Sequence, residues 1–159
     1  MTGRQLAELI DGHAAALVLF AGSRCATPED VVQDAFYKLA CQSPWPDDAV
    51  AWLYRVVRNR SIDSSRSDRK RTQREATVAR PVRWFAESSV DGLDADHAVA
   101  ALEQLPVEQR EVIVARLWGG MTLEQIAAVA GCSAATAYRR FESGIAALRE
   151  KMGAPCPKT

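Results

Sequence analysis

The sequence lacks long hydrophobic segments, has few aromatic residues and carries no net charge. No apolar run approaches the ~20 residues that a transmembrane helix needs, and the N-terminus has none of the features of a signal peptide. We therefore expect a cytoplasmic protein that does not contact a membrane. The formal net charge of zero also argues against a uniformly basic nucleic-acid binder.

Cysteine and histidine, the usual ligands of zinc, are scarce. The chain has four cysteines without close pairing and two histidines that could assist them: Cys25, Cys41, Cys132, Cys156, His13 and His97. This spacing does not resemble a zinc site. In a reducing compartment we expect small buried thiols and one exposed thiol in the tail, at Cys156. We therefore predict no metal and no cofactor.

The composition favours helices. Apolar residues make up 48% of the chain and charged residues 25%, and alanine recurs where β-branched runs are rare. A length of 159 residues allows either one domain or two small ones. The fold class that we predict is all-α.

Three helices are predicted in the N-terminal half. The first covers about Arg4 to Phe20 by its apolar spacing. The second begins with Thr27 as N-cap and Pro28 at the first helical position, and it continues to about Cys41. Its inner stripe is Val31, Ala35, Phe36 and Leu39. After a loop with two prolines, Asp47 or Asp48 caps a third helix from Ala49 to Ser65 or beyond.

Four shorter helices are predicted in the C-terminal half. They cover about Asp94 to Gln104, Pro106 to Trp118, Thr122 to Ala130, and Ser133 onward. The third opens with a capping-box pattern, Gly131 turns the chain, and Ser133 caps the last helix. This order of short helix, glycine turn and capped helix is typical of a helix-turn-helix.

The outer side of the last helix carries the residues that we expect to approach DNA. They are Ser133, Ala135, Thr136, Arg139, Arg140 and Ser143. An ordinary helical hairpin inside a bundle would have the same local pattern, so this segment alone does not settle DNA binding. Glu142 either repels phosphate or accepts a hydrogen bond from cytosine, and the sequence leaves both open.

The positive charge is concentrated in one segment. Eight basic residues lie between Arg55 and Arg74, against only Asp63 and Asp68. Trp52, Tyr54 and Asn59 stand among the first arginines, and aromatic rings beside phosphate contacts suit single-stranded DNA. The alternative is that Trp52 belongs to the core and that the basic run is a solvated face.

Glu29, Asp30 and Asp34 share a helix start and raise the alternative of a carboxylate metal site. Acids in a first helical turn also complement the helix dipole, which is the simpler interpretation. No histidine partner or glycine-rich phosphate loop accompanies them. The sequence therefore predicts no catalytic residues.

Three blocks, in this order, resemble the extracytoplasmic-function (ECF) sigma factors of RNA polymerase. They are Pro28 to Leu39, then Trp52 to Asn59 with Asp63, Arg66 and Arg69, and then Leu105 to Arg149. The first resembles the region-2 helix that docks on polymerase, the second the part that melts and reads the minus-ten element, and the third region 4. The chain departs from the family in its short, Ala-rich start and its weakly basic last helix.

The resemblance implies a domain organisation and three sets of contact residues. A region-2-like domain would span residues 1–74, a flexible linker 75–91, a region-4-like domain 92–152 and a tail 153–159. Polymerase contacts would be Asp30, Val31, Gln33, Asp34 and Phe36. Minus-ten contacts would be Trp45, Trp52, Arg55, Arg58, Asn59, Arg66 and Arg69. The minus-35 element would be read by the helix-turn-helix residues named above.

The function that the resemblance implies is promoter recognition together with core RNA polymerase. Promoter DNA and core polymerase are the expected partners, an anti-sigma factor is a third, and the free protein is expected to be a monomer. Two alternatives remain. One is an autonomous helix-turn-helix regulator, although no dimer helix is evident. The other is an interaction module that binds polymerase or an anti-sigma factor without reading DNA.

Overall fold

The computed structural model describes the backbone of residues 3–72 and 92–153 and the side chains of residues 3–66 and 97–153. This part of the chain contains seven α-helices and no strand, which confirms the predicted all-α class. The helices are α1 (Gly3–Ala21), α2 (Pro28–Cys41), α3 (Ala49–Thr72), α4 (Gly92–Glu103), α5 (Val107–Leu117), α6 (Leu123–Ala130) and α7 (Ala134–Lys151). The predicted linker at 75–91, Cys156 and the side chain of Arg69 lie outside the described residues.

Helices α1, α2 and α3 pack together through the stripes that their sequences predict. The stripe predicted for α2 is buried, and Leu39 is fully inaccessible to solvent. Leu17 of α1 and Leu53 of α3 are likewise inaccessible. Phe20 meets Tyr54 edge to face, with ring centroids 5.0 Å apart, a geometry that aromatic pairs prefer.

Local capping explains where α2 and α3 begin. Pro28 is at the start of α2, as predicted, but the side chain of Thr27 makes no capping hydrogen bond. Proline sets its own backbone angle to a value that suits the first helical turn, so this start does not depend on the threonine hydroxyl. Of the two candidate caps of α3, Asp48 fills the role, since its Oδ1 accepts from the amide of Ala51 at 2.9 Å.

The helix-turn-helix has the predicted local geometry. Thr122 and Gln125 form a capping box at the start of α6. Gly131 ends this helix with φ of 68°, a left-handed conformation that glycine adopts without steric cost. Ser133 then caps α7, because its side chain accepts from the amide of Thr136. Short caps on both sides of one glycine fix the angle at which α7 leaves α6.

Helix α7 is held against α5 and α4 by a second set of contacts. Leu102, Leu105 and Ile113 form a buried cluster with Ile145 and Leu148 of α7 packed on it. Gly144 is buried where α7 crosses α5, and the helices approach closely because it has no side chain. These contacts leave the opposite side of α7 free.

The N-terminal and C-terminal helices also share one core. Phe20, Tyr54 and Val57 pack in the same buried cluster as Val112 and Ile126. Helix α1 contacts α5, and α3 contacts α6. The domain boundaries at residues 74 and 92 stay a prediction, but the two helical halves are in direct contact.

Candidate DNA and polymerase interface

The first candidate surface is the outer face of α7. Ser133, Ala135, Arg139 and Ser143 are exposed, and Thr136 and Arg140 are half-buried. Glu142 and Tyr138 are exposed beside them, as expected, and Tyr138 has 52% of its surface accessible. Gln109 of α5 donates a hydrogen bond to the hydroxyl of Ser143 at 3.2 Å, and this bond holds the Ser143 side chain at the edge of the face. Helix α7 therefore presents a polar surface on a rigid support.

The second candidate surface runs along α3. Arg55, Asn59 and Arg66 are exposed. At 3.6 residues per turn these three positions lie within about 40° of one another around the helix axis. Trp52 is half-buried and packs against the core, so its ring lies beneath this face and adds little accessible surface to it. The α3 surface thus presents two guanidinium groups and one amide along one line.

Arg58 points away from that line, towards the C-terminal half. Its Nε lies 3.5 Å from Oε2 of Glu111 on α5. Arg24, in the loop between α1 and α2, donates from Nε to Oε1 and from Nη2 to Oε2, the latter at 2.9 Å. Glu111 has only 3% of its surface exposed, and its hydrogen bond is the main reason why the pKa of Arg24 is raised.

Sequence reasoning missed this three-residue cluster. The available signal was an acid directly before the apolar run Val112–Ala115, where a buried position is expected. Buried carboxylates need charged partners, so Glu111 could have been flagged. Its partners could not, because they lie 53 and 87 residues away in the chain.

The loop before α3 does not leave Trp45 free. Its indole Nε1 donates to the carbonyl of Leu39 at 2.8 Å, and the ring is half-buried against the core. The same carbonyl also accepts from the backbone amide of Gln42 at 3.1 Å, so the indole adds a second bond at the end of α2. Trp45 is therefore a fixed wall at the end of α2.

Helix α2 brings only part of the predicted polymerase-docking set to the surface. Asp30 and Gln33 are exposed and Asp34 is partly exposed. Val31 and Phe36 are only 8% and 7% exposed, because they belong to the inner stripe of the helix. Their contact with polymerase stays a prediction. Tyr37, with 68% of its surface exposed, is a neighbouring residue that the prediction omitted.

Asp34 is held by intramolecular contacts. Its Oδ2 accepts from Nε of Arg60 at 2.8 Å and lies 3.4 Å from Nζ of Lys38. The hydrogen bond from Arg60 is the main cause that lowers the pKa of Asp34. This carboxylate connects α2 to Arg60 of α3, on a side of the helix away from the α3 surface.

The cysteines show no metal site within the described residues. Cys25 and Cys132 are half-buried, whereas Cys41 is exposed, contrary to the expectation of a buried thiol. Cys41 is the last residue of α2, where the helix end leaves the core. Among the residues with described positions, no group of three or more histidine, cysteine, aspartate or glutamate residues could hold a metal ion. In that same part of the chain, no helix is both long and apolar enough to span a bilayer.

Comparison with known proteins assigns both surfaces to one protein class. Residues 9–71 match the family Sigma-70 region 2, and residues 98–148 match Sigma-70, region 4. The first match contains the α2 and α3 surfaces, and the second contains the helix-turn-helix. The protein is therefore a member of the sigma-70 class, with two separate sigma regions in one short chain.

Individual relatives show which group of sigma factors the chain belongs to. The chain is 34% identical over 151 residues to the ECF RNA polymerase sigma factor SigL of Mycobacterium tuberculosis, covering 89% of this chain and 85% of that one. It is 27% identical over 132 residues to the ECF sigma factor SigK of Mycolicibacterium vanbaalenii, covering 80% and 67%. The chain belongs to the ECF RNA polymerase sigma factors, which direct core polymerase to promoter DNA.

Solved structures share the fold. The sigma factor RpoE of Bartonella quintana, in a complex with the anti-sigma factor NepR, has a TM-score of 0.76 and 24% identity over 98% of this chain and all of that one. CnrH, in a complex with the cytosolic domain of CnrY, has a TM-score of 0.62 and 24% identity over 98% and 92%. Neither the autonomous regulator nor the interaction module accounts for both matched regions.

Proposed function

We propose that the α3 and α7 surfaces are the two promoter readers of this sigma factor. On α3, Arg55 and Arg66 would hold phosphates of the opened minus-ten strand, and Asn59 would read a base. On α7, Arg139 and Arg140 would enter the major groove at the minus-35 element. The observation that carries this assignment is that both helices present polar, partly cationic faces while their apolar sides are buried.

Asn59 is the proposed base reader because an amide both donates and accepts hydrogen bonds. An unstacked minus-ten base would be enclosed between α3 and the loop that carries Trp45. The anchoring of Trp45 to Leu39 supports this role, since a fixed wall costs little entropy when a base arrives. Unstacking a base costs a few kcal/mol, which contacts in the pocket must return.

Core polymerase would dock on the exposed part of α2. Asp30, Gln33 and Tyr37 combine charge, an amide and an accessible ring on one helix. Charged groups at the rim of such an interface set orientation and association rate more than affinity. An anti-sigma factor would restrain the protein, since the structurally similar RpoE is bound by the anti-sigma factor NepR. The protein would act in the cytoplasm, without catalytic activity of its own.

The test is run-off transcription with core polymerase and a genomic promoter library. The wild-type protein should select a set of promoters with shared elements at two positions. Arg139→Ala or Arg140→Ala should weaken minus-35 recognition by ~1–3 kcal/mol if the arginine reads a base, and should reduce salt dependence if it only contacts phosphate.

Arg149→Ala is the matched control, because Arg149 is also exposed on α7 but lies in its last turn. This variant should transcribe like the wild type. If all three variants keep the same dependence on the minus-35 element, α7 is not its reader. Tight sequence-specific binding to duplex DNA without polymerase would instead favour an autonomous regulator.

A further inference from the structure

We propose that the contact between the two helical halves is an autoinhibitory lock, in which Glu111 occupies Arg58 and keeps it from DNA. The inference rests on the proposed role of α3 in binding the minus-ten strand. Glu111 lies on α5 in the C-terminal half, whereas Arg24 and Arg58 belong to the N-terminal half. Separating the halves therefore breaks both ion pairs at once.

Glu111 and a DNA phosphate would use Arg58 in the same way. Both offer oxygen anions to a guanidinium group, whose planar donors suit carboxylate and phosphate alike. The side chain of Arg58 has only 17% of its surface exposed in the closed arrangement, although its neighbours Arg55 and Asn59 are exposed. Arg58 can therefore bind one of the two anions at a time, and closure withholds one cation that lies on α3 beside the exposed α3 surface.

The contact between the two halves leaves the buried hydroxyl of Tyr54 without a hydrogen bond to any described residue, which destabilises the closed arrangement. The ring of Tyr54 is fully buried against Gly119, where a Cβ atom would lie 2.6 Å from the tyrosine hydroxyl. That hydroxyl has no hydrogen-bond partner among the residues whose side chains are described. A buried hydroxyl without a partner favours states in which water can reach it. The closed arrangement is thus closely packed but can be opened.

A third link joins the two proposed readers. Asp48 uses Oδ1 to cap α3 and accepts with Oδ2 from Nε2 of Gln125 at 2.6 Å. Gln125 is also part of the capping box of α6, the first helix of the helix-turn-helix. The start of one reader is therefore tied to the support of the other, so the two cannot separate while this bond holds.

The lock predicts that free protein is mostly closed and that opening exposes Arg58. Small-angle X-ray scattering reports closure without any promoter, since a compact chain of this length has a radius of gyration of about 15 Å. Binding of fluorescent oligo-dT reports whether Arg58 is available in addition to the exposed residues of the α3 surface. If about 90% of free molecules are closed and the strand binds only when Arg58 is released, full opening should raise the apparent affinity about tenfold.

Three variants test the lock. Glu111→Gln removes the charge that holds both arginines and should increase the radius of gyration and the affinity for oligo-dT. Tyr54→Phe removes the unpaired hydroxyl and should shift both measurements in the opposite direction, which loss of folding cannot imitate. Glu150→Gln makes the same charge change at an exposed site in the last turn of α7 and should match the wild type.

The lock is overturned if Glu111→Gln and Glu150→Gln agree in scattering and in oligo-dT binding, with helix content preserved by circular dichroism. It is also overturned if Tyr54→Phe opens the protein. Run-off transcription by the wild type separates this result from the proposed function. Promoter-specific transcripts together with an unchanged radius of gyration in Glu111→Gln would leave the promoter readers intact and remove only the lock.

Discussion

Tyr54 is fully buried, and burial raises its pKa above the ordinary value of about 10. The folded protein therefore favours the neutral phenol. The stabilising contribution of this shift is fully present below about pH 10 and is lost as the pH rises through the folded-state pKa. We expect Tyr54 to ionise only above the ordinary pH range of a tyrosine, and only with opening of the contact between the halves.

An ultraviolet absorbance titration of the native protein, compared with one in urea, measures this ionisation. Tyr54→Phe should lack the late step. In the same variant the free energy of unfolding at neutral pH should rise by about 1 kcal/mol, because an unpaired buried hydroxyl costs ~1–3 kcal/mol. If the native titrations of the wild type and Tyr54→Phe differ by a tyrosine that ionises early instead of late, Tyr54 is accessible to solvent.

Individual residues mark the limit of what sequence reasoning reached. Asp48, Gly131 and Ser133 could be predicted because capping and turn chemistry involve neighbours in the chain. Arg58 was correctly seen as a cation on a helix but not as a partner of Glu111. Ion pairs between distant segments depend on how helices pack, and helical periodicity carries no information about that.

Two glycines in helices should respond oppositely to the same substitution. Alanine is favoured over glycine within a helix by ~1 kcal/mol. At Gly12 of α1 an added Cβ meets no atom within 4 Å, so Gly12→Ala should raise the free energy of unfolding by roughly that ~1 kcal/mol. At Gly144 of α7 the Cβ would lie 2.8 Å from Cδ1 of Ile113 and 3.1 Å from Cβ of Gln109.

Ile113 is fully buried and cannot move aside freely, and overpacking a core costs ~1–3 kcal/mol. We therefore expect Gly144→Ala to lower the free energy of unfolding by about 1 kcal/mol after its gain in helix propensity. Urea denaturation of both variants measures the two shifts. An increase in stability for Gly144→Ala would mean that α5 and α7 are less closely packed than their contacts indicate.

Helix α3 provides a prediction about strand opening. Asn59→Ala should lose base preference at one minus-ten position, because the amide that would bond the flipped base is gone. On a template already melted by mismatches across the minus-ten element, the variant should recover part of its activity but not that preference. Run-off transcription on matched and pre-melted templates measures both effects. Full base preference on both templates would remove Asn59 from the reader role.

The helices themselves were largely predictable, whereas their assembly was not. The bounds of α2 and α7 follow from Pro28, Ser133 and the apolar stripes, all within a few turns of sequence. The stripe of α2 also includes Val31 and Phe36, which pack in the core although they were predicted to contact polymerase. The packing of α5 and α6 on the N-terminal helices had no sequence signal, because buried positions do not identify their partners.

The whole molecule combines the two proposed promoter readers with a net charge of zero. Without a strong overall positive field, the free protein gains little from long-range attraction to DNA. Each reader contributes few phosphate contacts, so stable promoter binding requires that polymerase hold both on one DNA molecule. Once polymerase has bound one promoter element through one reader, binding of the other element becomes effectively intramolecular. The proposed lock fits this division, since it would withhold Arg58 until a partner separates the halves.

Simultaneous use of both readers predicts a strict dependence on promoter spacing. Inserting about 5 base pairs between the two elements rotates one by roughly half a turn of the duplex. Bound polymerase then cannot present α3 and α7 to their sites together, and transcription should fall. On this altered promoter Arg139→Ala should cause no further loss, whereas on the original one it should cost ~1–3 kcal/mol, or roughly 5-fold to 150-fold in promoter binding. Quantified run-off transcripts from both templates, with Arg149→Ala as control, give the comparison. Equal losses from Arg139→Ala on both templates would show that the two readers act independently, and the intramolecular account would fail.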